Sequence, residues 1–181
     1  LLTSPLLPLL LFVMIYDDYN FCALGRSLIL QTCRVEFLKR LPQALHLFDQ
    51  KTARYRLLPP LIVQLQDESL AVFALPTVLC IAATLDNQDF EQTLSGVFTS
   101  MMDASRPAAI TYVMLKNLDM LARKGSANFK RQALMPMLLR CLDSRDSRLQ
   151  QLAVKQITEV CLNAPECLCK ADVMLVYFSI I

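Results

Sequence analysis

Leu58-Pro59-Pro60-Leu61-Ile62 returns later in the chain as Met135-Pro136-Met137-Leu138-Leu139, with Pro59 and Pro136 lying 77 residues apart. Each proline stands before an apolar run that closes on a polar turn. The first turn is Gln66-Asp67-Glu68-Ser69 and the second is Asp143-Ser144-Arg145-Asp146-Ser147. Leu94-Ser95-Gly96-Val97-Phe98 fits between them, 36 residues after Leu58, which divides the offset into units of about 36 and 41 residues. A fixed period of this length marks a stacked repeat, because one short helical unit cannot bury its apolar face alone.

Outward from these stretches the periodicity is helical. Val35, Phe37, Leu38, Leu41, Leu45 and Phe48 recur by threes and fours, with Glu36, Lys39 and Arg40 between them. That spacing sets one apolar stripe toward a core. Asp49-Gln50-Lys51-Thr52 breaks the pattern, and Thr52 is placed to cap a helix over 53–66. Ser69 opens a helix over 70–85 that is apolar nearly all round, as expected of a segment buried between neighbours. Asn87 or Asp89 can cap a helix over 90–102. Ser105-Arg106-Pro107 reads as an N-cap followed by proline in the first turn. That helix runs to Lys124, where Arg123, Lys124 and Gly125 give a basic last turn and a stop. Ser126 opens a helix to about Leu142, and Ser147 opens one to about Leu162.

Seven helices joined by short loops are antiparallel neighbours. The expected fold is all-α, an α-solenoid of HEAT- or armadillo-like antiparallel helix pairs, whose known periods are about 40–47 residues. Pro42, Pro59, Pro76 and Pro136 fall within helical patterns. Interior prolines delete a hydrogen bond and kink the axis, which suits a curved solenoid. They could equally mark helix boundaries one turn away.

Composition agrees. The 181 residues are 55% hydrophobic and 19% charged, with three glycines and nine prolines. So apolar a chain is not a disordered tail, and so few glycines do not supply the turns of a sandwich or barrel. Net charge is +2, low for a nucleic-acid binder, so no nucleic-acid partner is expected. The charge comes in blocks, +4 over 34–56, −6 over 57–105 and +7 over 106–155.

Seven cysteines, an odd number set mostly among apolar neighbours, read as reduced core residues rather than a disulfide framework. Cys161, Cys167 and Cys169 lack the ligand count of a zinc site, and His46 is the one histidine. Leu6 to Tyr16 is apolar but interrupted by Pro8, with no basic leader and too few residues to span a bilayer. No transmembrane segment is expected, and a chain that opens on Leu1 reads as part of a longer protein.

No catalytic constellation is legible. Gly25, Gly96 and Gly125 cannot build a phosphate loop, and no H-E-x-x-H, G-x-S-x-G or kinase signature is present. His46 lies among Leu45, Leu47 and Phe48 and reads as a surface or groove residue. Asp17-Asp18 and Asp67-Glu68 are adjacent carboxylates at loops or helix ends, suited to capping. The expectation is a non-enzyme with no catalytic, cofactor or metal residues and no cofactor.

Glu36-Phe37-Leu38-Lys39-Arg40-Leu41-Pro42-Gln43-Ala44-Leu45, followed by Tyr55-Arg56-Leu57-Leu58-Pro59-Pro60-Leu61, resembles the start of the HEAT-repeat region of SCY-like pseudokinases. Phe73-Ala74-Leu75-Pro76-Thr77-Val78-Leu79-Cys80-Ile81-Ala82 is similar to that family's F-V-L-P-x-V-L-x-I-A helix, and Leu118-Asp119-Met120-Leu121 and Leu134-Met135-Pro136-Met137 also fit. The resemblance is nearest to the branch associated with clathrin-coated vesicles and covers about 34–162.

The resemblance implies a HEAT-like repeat domain over 34–162, flanked by poorly assigned segments over 1–33 and 163–181. It implies a cytoplasmic scaffold acting in clathrin-linked Golgi–endosome traffic, peripheral on vesicles, with coat or adaptor proteins as partners. The alternative is a HEAT or armadillo module of an unrelated scaffold, of the phosphatase-regulatory or nuclear-transport-adaptor type. From the charge pattern alone, Arg123, Lys124, Lys130 and Arg131 flank the Gly125 turn as a candidate interaction edge toward an acidic membrane surface or acidic partner segment.

Overall fold

The structure, a computed structural model, describes residues 28–163 except residue 104, and all regular structure among them is helical. α1 is Leu28–Ala44, continued by a 3-10 turn over Leu45–Leu47. α2 (50–64) is a turn of α-helix, Gln50–Thr52, then a π turn, Ala53–Leu57, then α-helix Leu58–Gln64. α3 is Glu68–Thr84. α4 (87–101) is Asn87–Thr93 and Ser95–Met101, bent at Leu94. α5 (108–124) is Ala108–Lys116 and Leu118–Lys124, bent at Asn117. α6 (127–142) is Ala127–Phe129, a π turn Lys130–Leu134, and Met135–Leu142. α7 is Ser147–Asn163.

The expected all-α class holds for these residues, and the 77-residue offset survives element by element. Adding it to the one-turn start and the π turn of α2 gives the bounds of the same two pieces of α6, and the proline-led helix that follows starts in register and ends one residue later, at Leu142. The physical reason is proline. It has no N–H to donate and its ring collides with the carbonyl four residues back. A π turn inserts one residue into the helix and opens that ladder immediately before Leu58-Pro59 and Met135-Pro136. Pro42 and Pro76, by contrast, lie inside α1 and α3.

α2, α3 and α4 start two or three residues before the sequence reading, whereas α6 and α7 start at Ser126 and Ser147 as expected. α2 begins earlier, because Asp49 and not Thr52 is the cap; its carboxylate accepts from the Thr52 N–H at 3.1 Å. α4 is capped by Asp86, which accepts from the Asp89 N–H at 2.7 Å. Asp67 accepts from both the Ser69 N–H (2.9 Å) and its hydroxyl (2.6 Å), so α3 starts at Glu68. Ser105 does not cap α5. Its N–H donates to Asp103 at 2.9 Å in a separate turn, and Pro107 itself occupies the N-cap position. In each of the first two cases the cap is an Asp upstream of the residues read from sequence, a favoured cap whose charge also complements the helix N-terminus. Ser126 does cap α6, accepting from the Phe129 N–H at 3.2 Å. The side-chain caps Asp49, Asp86 and Ser126 thus stand 37 and 40 residues apart, a helix pair each time.

The chain divides into two compact units between Ile81 and Ala82, within α3. In the first, Phe37, Leu38, Leu41 and Ala44 of α1, Leu57, Leu58 and Leu61 of α2, and Leu70, Ala74, Leu75 and Val78 of α3 are buried. The Lys39 ammonium sits 5.3 Å from the Phe73 ring centroid, tying α1 to α3. In the second, Phe90 is the hub, with the Phe98 ring at 5.6 Å and the Phe129 ring edge-on at 5.8 Å. Ile110, Met114, Leu118 and Leu121 of α5, Leu134 and Leu138 of α6, and Ala153 and Val160 of α7 complete that core. α7 packs against both halves of α5 and against α6.

Candidate functional site

The basic edge is built around Gly125, which ends α5 with extended backbone (φ −70°, ψ 140°). The glycine is required by a close approach and not by its dihedrals. A Cβ at this position would stand 2.9 Å from the Leu121 carbonyl and run into the Phe129 ring. Phe129 is buried, so the turn is pressed onto the core that it joins.

The four cations around this turn are not equivalent. Arg123 is exposed, and its Nε donates to Asp119 at 2.9 Å across one helical turn. Lys124 is half-buried and donates to the carbonyl of Leu85, at the end of α3, a residue of the same compact unit. Lys130 and Arg131 open the π turn of α6, the first half-buried and the second exposed. Two members of the edge therefore have partners within the chain.

Lys124 read as a complement to its own helix dipole; the structure assigns its proton to a different helix. Arg140 repeats the arrangement, donating from the last turn of α6 to the carbonyl of Met102, at the end of α4. The two ties span 39 and 38 residues, about one helix pair. A cation placed on the unsatisfied carbonyls of a helix C-terminus makes a charge-assisted hydrogen bond and complements the macrodipole. Sequence reading missed Arg140, although a basic residue in a last turn is the signal that would have found it.

Glu91 was missed as well. Its carboxylate accepts from the Ser126 hydroxyl at 2.8 Å, and lies 3.4 Å from both the Ser126 amide and the Ser95 hydroxyl. This places negative charge at the N-terminus of α6, where Lys130 and Arg131 are otherwise unfavourable. No local pattern reveals it, because the partners are 35 residues apart.

His46 is exposed in the 3-10 turn, with Nδ1 2.7 Å from the Gln43 carbonyl, a donor in that tautomer. Cys141 is buried, and burial pushes its thiol up to about 11, while Cys80 is exposed. Cys161 is half-buried, and burial raises its thiol above the ordinary range; Cys167 and Cys169 lie outside the described residues. Among the described residues no three His, Cys, Asp or Glu side chains converge as a metal site, and no helix is long and apolar enough to cross a membrane. Leu6 to Tyr16 also lies outside them.

No protein-family model matches the chain, and no solved structure matches it. The chain is similar to SCY1-like protein 2 of Homo sapiens, with 24% identity over 122 residues, and to the same protein of Mus musculus at the same identity. These matches cover 67% of this chain and 13% of each relative, so the chain spans only a small part of the relatives' length. What the similarity supports is a SCY1-like relationship.

Proposed function

We propose that the chain is a non-catalytic, HEAT-like repeat segment of a SCY-like scaffold, and that it presents helix pairs as a protein-interaction surface. The observation that carries this reading is the recurrence, one helix pair apart, of capped starts at Asp49, Asp86 and Ser126 and of cationic ties at Lys124 and Arg140. A stacked repeat needs such features at each unit, because successive units bury one another's faces. By its similarity to SCY1-like protein 2, the scaffold would act in clathrin-linked traffic between Golgi and endosomes, in the cytoplasm, with coat or adaptor proteins as partners.

The test is co-sedimentation of the full 181-residue chain with isolated coated vesicles, before and after the coat is stripped. Coat-dependent sedimentation is the expected result. Equal sedimentation with stripped vesicles would remove the coat partner and favour the unrelated-scaffold alternative. A contact with acidic lipid belongs to the same proposal, since Arg131 is exposed and Lys130 is partly exposed beside it. Anionic lipid attracts such residues by roughly 1 kcal/mol each near the surface. Anionic and neutral liposomes, compared at low and high salt, test that contact.

A further inference from the structure

Two clefts adjoin on the surface of the second unit, sharing Ala108 and Leu149 as a saddle. The larger, about 530 Å³, lies between α5 and α7 and is lined by Ala109, Tyr112, Leu152, Arg148 and Lys155 among others. The smaller, about 210 Å³, lies beside the start of α5 and is lined by Arg106, Arg140, Thr111 and Asp103.

Each cleft sets two basic residues and one acidic one among apolar side chains. Four basic residues face two acidic ones, Asp103 and Asp146. Both acids already accept a backbone hydrogen bond at 2.9 Å, from Ser105 and Arg148 respectively. Arg140 has one nitrogen committed to the Met102 carbonyl, and Lys155 stands 3.8 Å from Glu159. Tyr112 is 39% exposed, with the Lys116 ammonium 4.7 Å from its ring centroid, which adds a further positive charge beside the ring. An exposed aromatic among apolar residues and cations is the composition of a peptide-recognition surface.

We propose that this furrow docks an acidic, amphipathic segment of a protein partner, its carboxylates meeting Arg106 and Arg148 and an apolar side chain between them resting on Tyr112 and Leu152. Charge complementarity selects the acid, and the apolar residues Ala108 and Leu149 shared by the two clefts select an apolar side chain beside it. This rests on the reading of the chain as a protein-interaction module, and it names a surface distinct from the Gly125 turn.

The experiment is fluorescence anisotropy with the full chain and a short labelled peptide of glutamate, leucine and phenylalanine. The controls are the same peptide with glutamine for glutamate, and polyglutamate. The acidic amphipathic peptide is expected to bind, and to weaken as salt rises. The double variant Arg106→Gln/Arg148→Gln should weaken it roughly three- to ten-fold, in proportion to the modest strength of exposed pairs. Tyr112→Ala should weaken it by a similar factor at every salt concentration. Absence of binding, equal binding of the glutamine peptide, or equal binding of polyglutamate overturns the proposal. Coated-vesicle sedimentation of the same variants separates the two readings. A furrow that binds peptide in a chain indifferent to the coat leaves the furrow standing and the trafficking role fallen; the reverse result does the opposite.

Discussion

The Ser126 hydroxyl donates to Glu91 at 2.8 Å while accepting from the Phe129 N–H at 3.2 Å, so one side chain caps α6 and binds it to α4. Ser126→Ala removes both bonds and should cost about 1–2 kcal/mol, measured by urea unfolding. Glu91→Gln keeps an acceptor for the hydroxyl and loses only its charge at the helix start, about 0.5 kcal/mol. Glu91→Ala should lie between these, and the Ser126→Ala/Glu91→Ala pair should cost less than the sum of its parts. Strict additivity would mean that the two residues act separately.

Gly125 makes a prediction of a different kind, because its dihedrals suit any residue and only space forbids a side chain. Gly125→Ala presses a methyl onto Phe129 and onto the Leu121 carbonyl, and the carbonyl is backbone that cannot swing aside. A loss of about 1–3 kcal/mol is expected, as for overpacking elsewhere. Phe129→Leu in the same background should recover part of it. A melting temperature unchanged by Gly125→Ala would show that the turn has room to relax.

The ties at Lys124 and Arg140 should each be worth about 1 kcal/mol, since removing either cation leaves a helix-end carbonyl without its charged donor. Lys124→Met and Arg140→Met keep most of the aliphatic stem, so the difference reads the charge and not the packing. Arg123→Met is the control; its exposed pair with Asp119 should contribute at most a few tenths of a kcal/mol. Equal effects at all three positions would mean that the Leu85 and Met102 carbonyls gain nothing from their donors.

Much of this fold was legible because apolar spacing and proline are local signals. The stripe Phe37, Leu38 and Leu41 and the twin segments behind Pro59 and Pro136 were readable from residue order alone. The π turns were not. Nothing in Ala53–Leu57 or Lys130–Leu134 prescribes an extra residue per turn; the need arises from the proline that follows. Ser126 was readable as a cap, but those of α2 and α4 were misplaced because several adjacent polar residues could serve, and only the three-dimensional start of the helix selects among Asp49 and Thr52, or Asp86, Asn87 and Asp89. The interaction surface was the least legible part. Lys124, Arg140 and Glu91 act across 35 to 39 residues, and the furrow brings together residues from 103 to 155. Charge runs give the sign of such a surface but not which cations the fold itself consumes.

The last prediction concerns the thiols. Burial raises Cys141 to about 11 against the small opposing pull of Arg140, so the folded chain keeps the neutral thiol where the unfolded chain has begun to ionise. The sign follows. Below the ordinary value near 9 both states hold the proton, and the contribution to stability is complete. As pH rises from there through about 11, the unfolded state loses its proton first and stability falls. The full loss is on the order of 3 kcal/mol. Because lysines and tyrosines titrate in the same window, the quantity to measure is the stability difference between the native chain and Cys141→Ala. That difference should shrink as pH rises through this window and stay level at neutral pH. Reactivity supplies the second reading. At neutral pH a maleimide should label exposed Cys80 promptly and Cys141 only after unfolding, resolved by peptide mass spectrometry. Prompt labelling of Cys141 in the folded chain would place its thiol at the surface and remove the basis for the pH dependence.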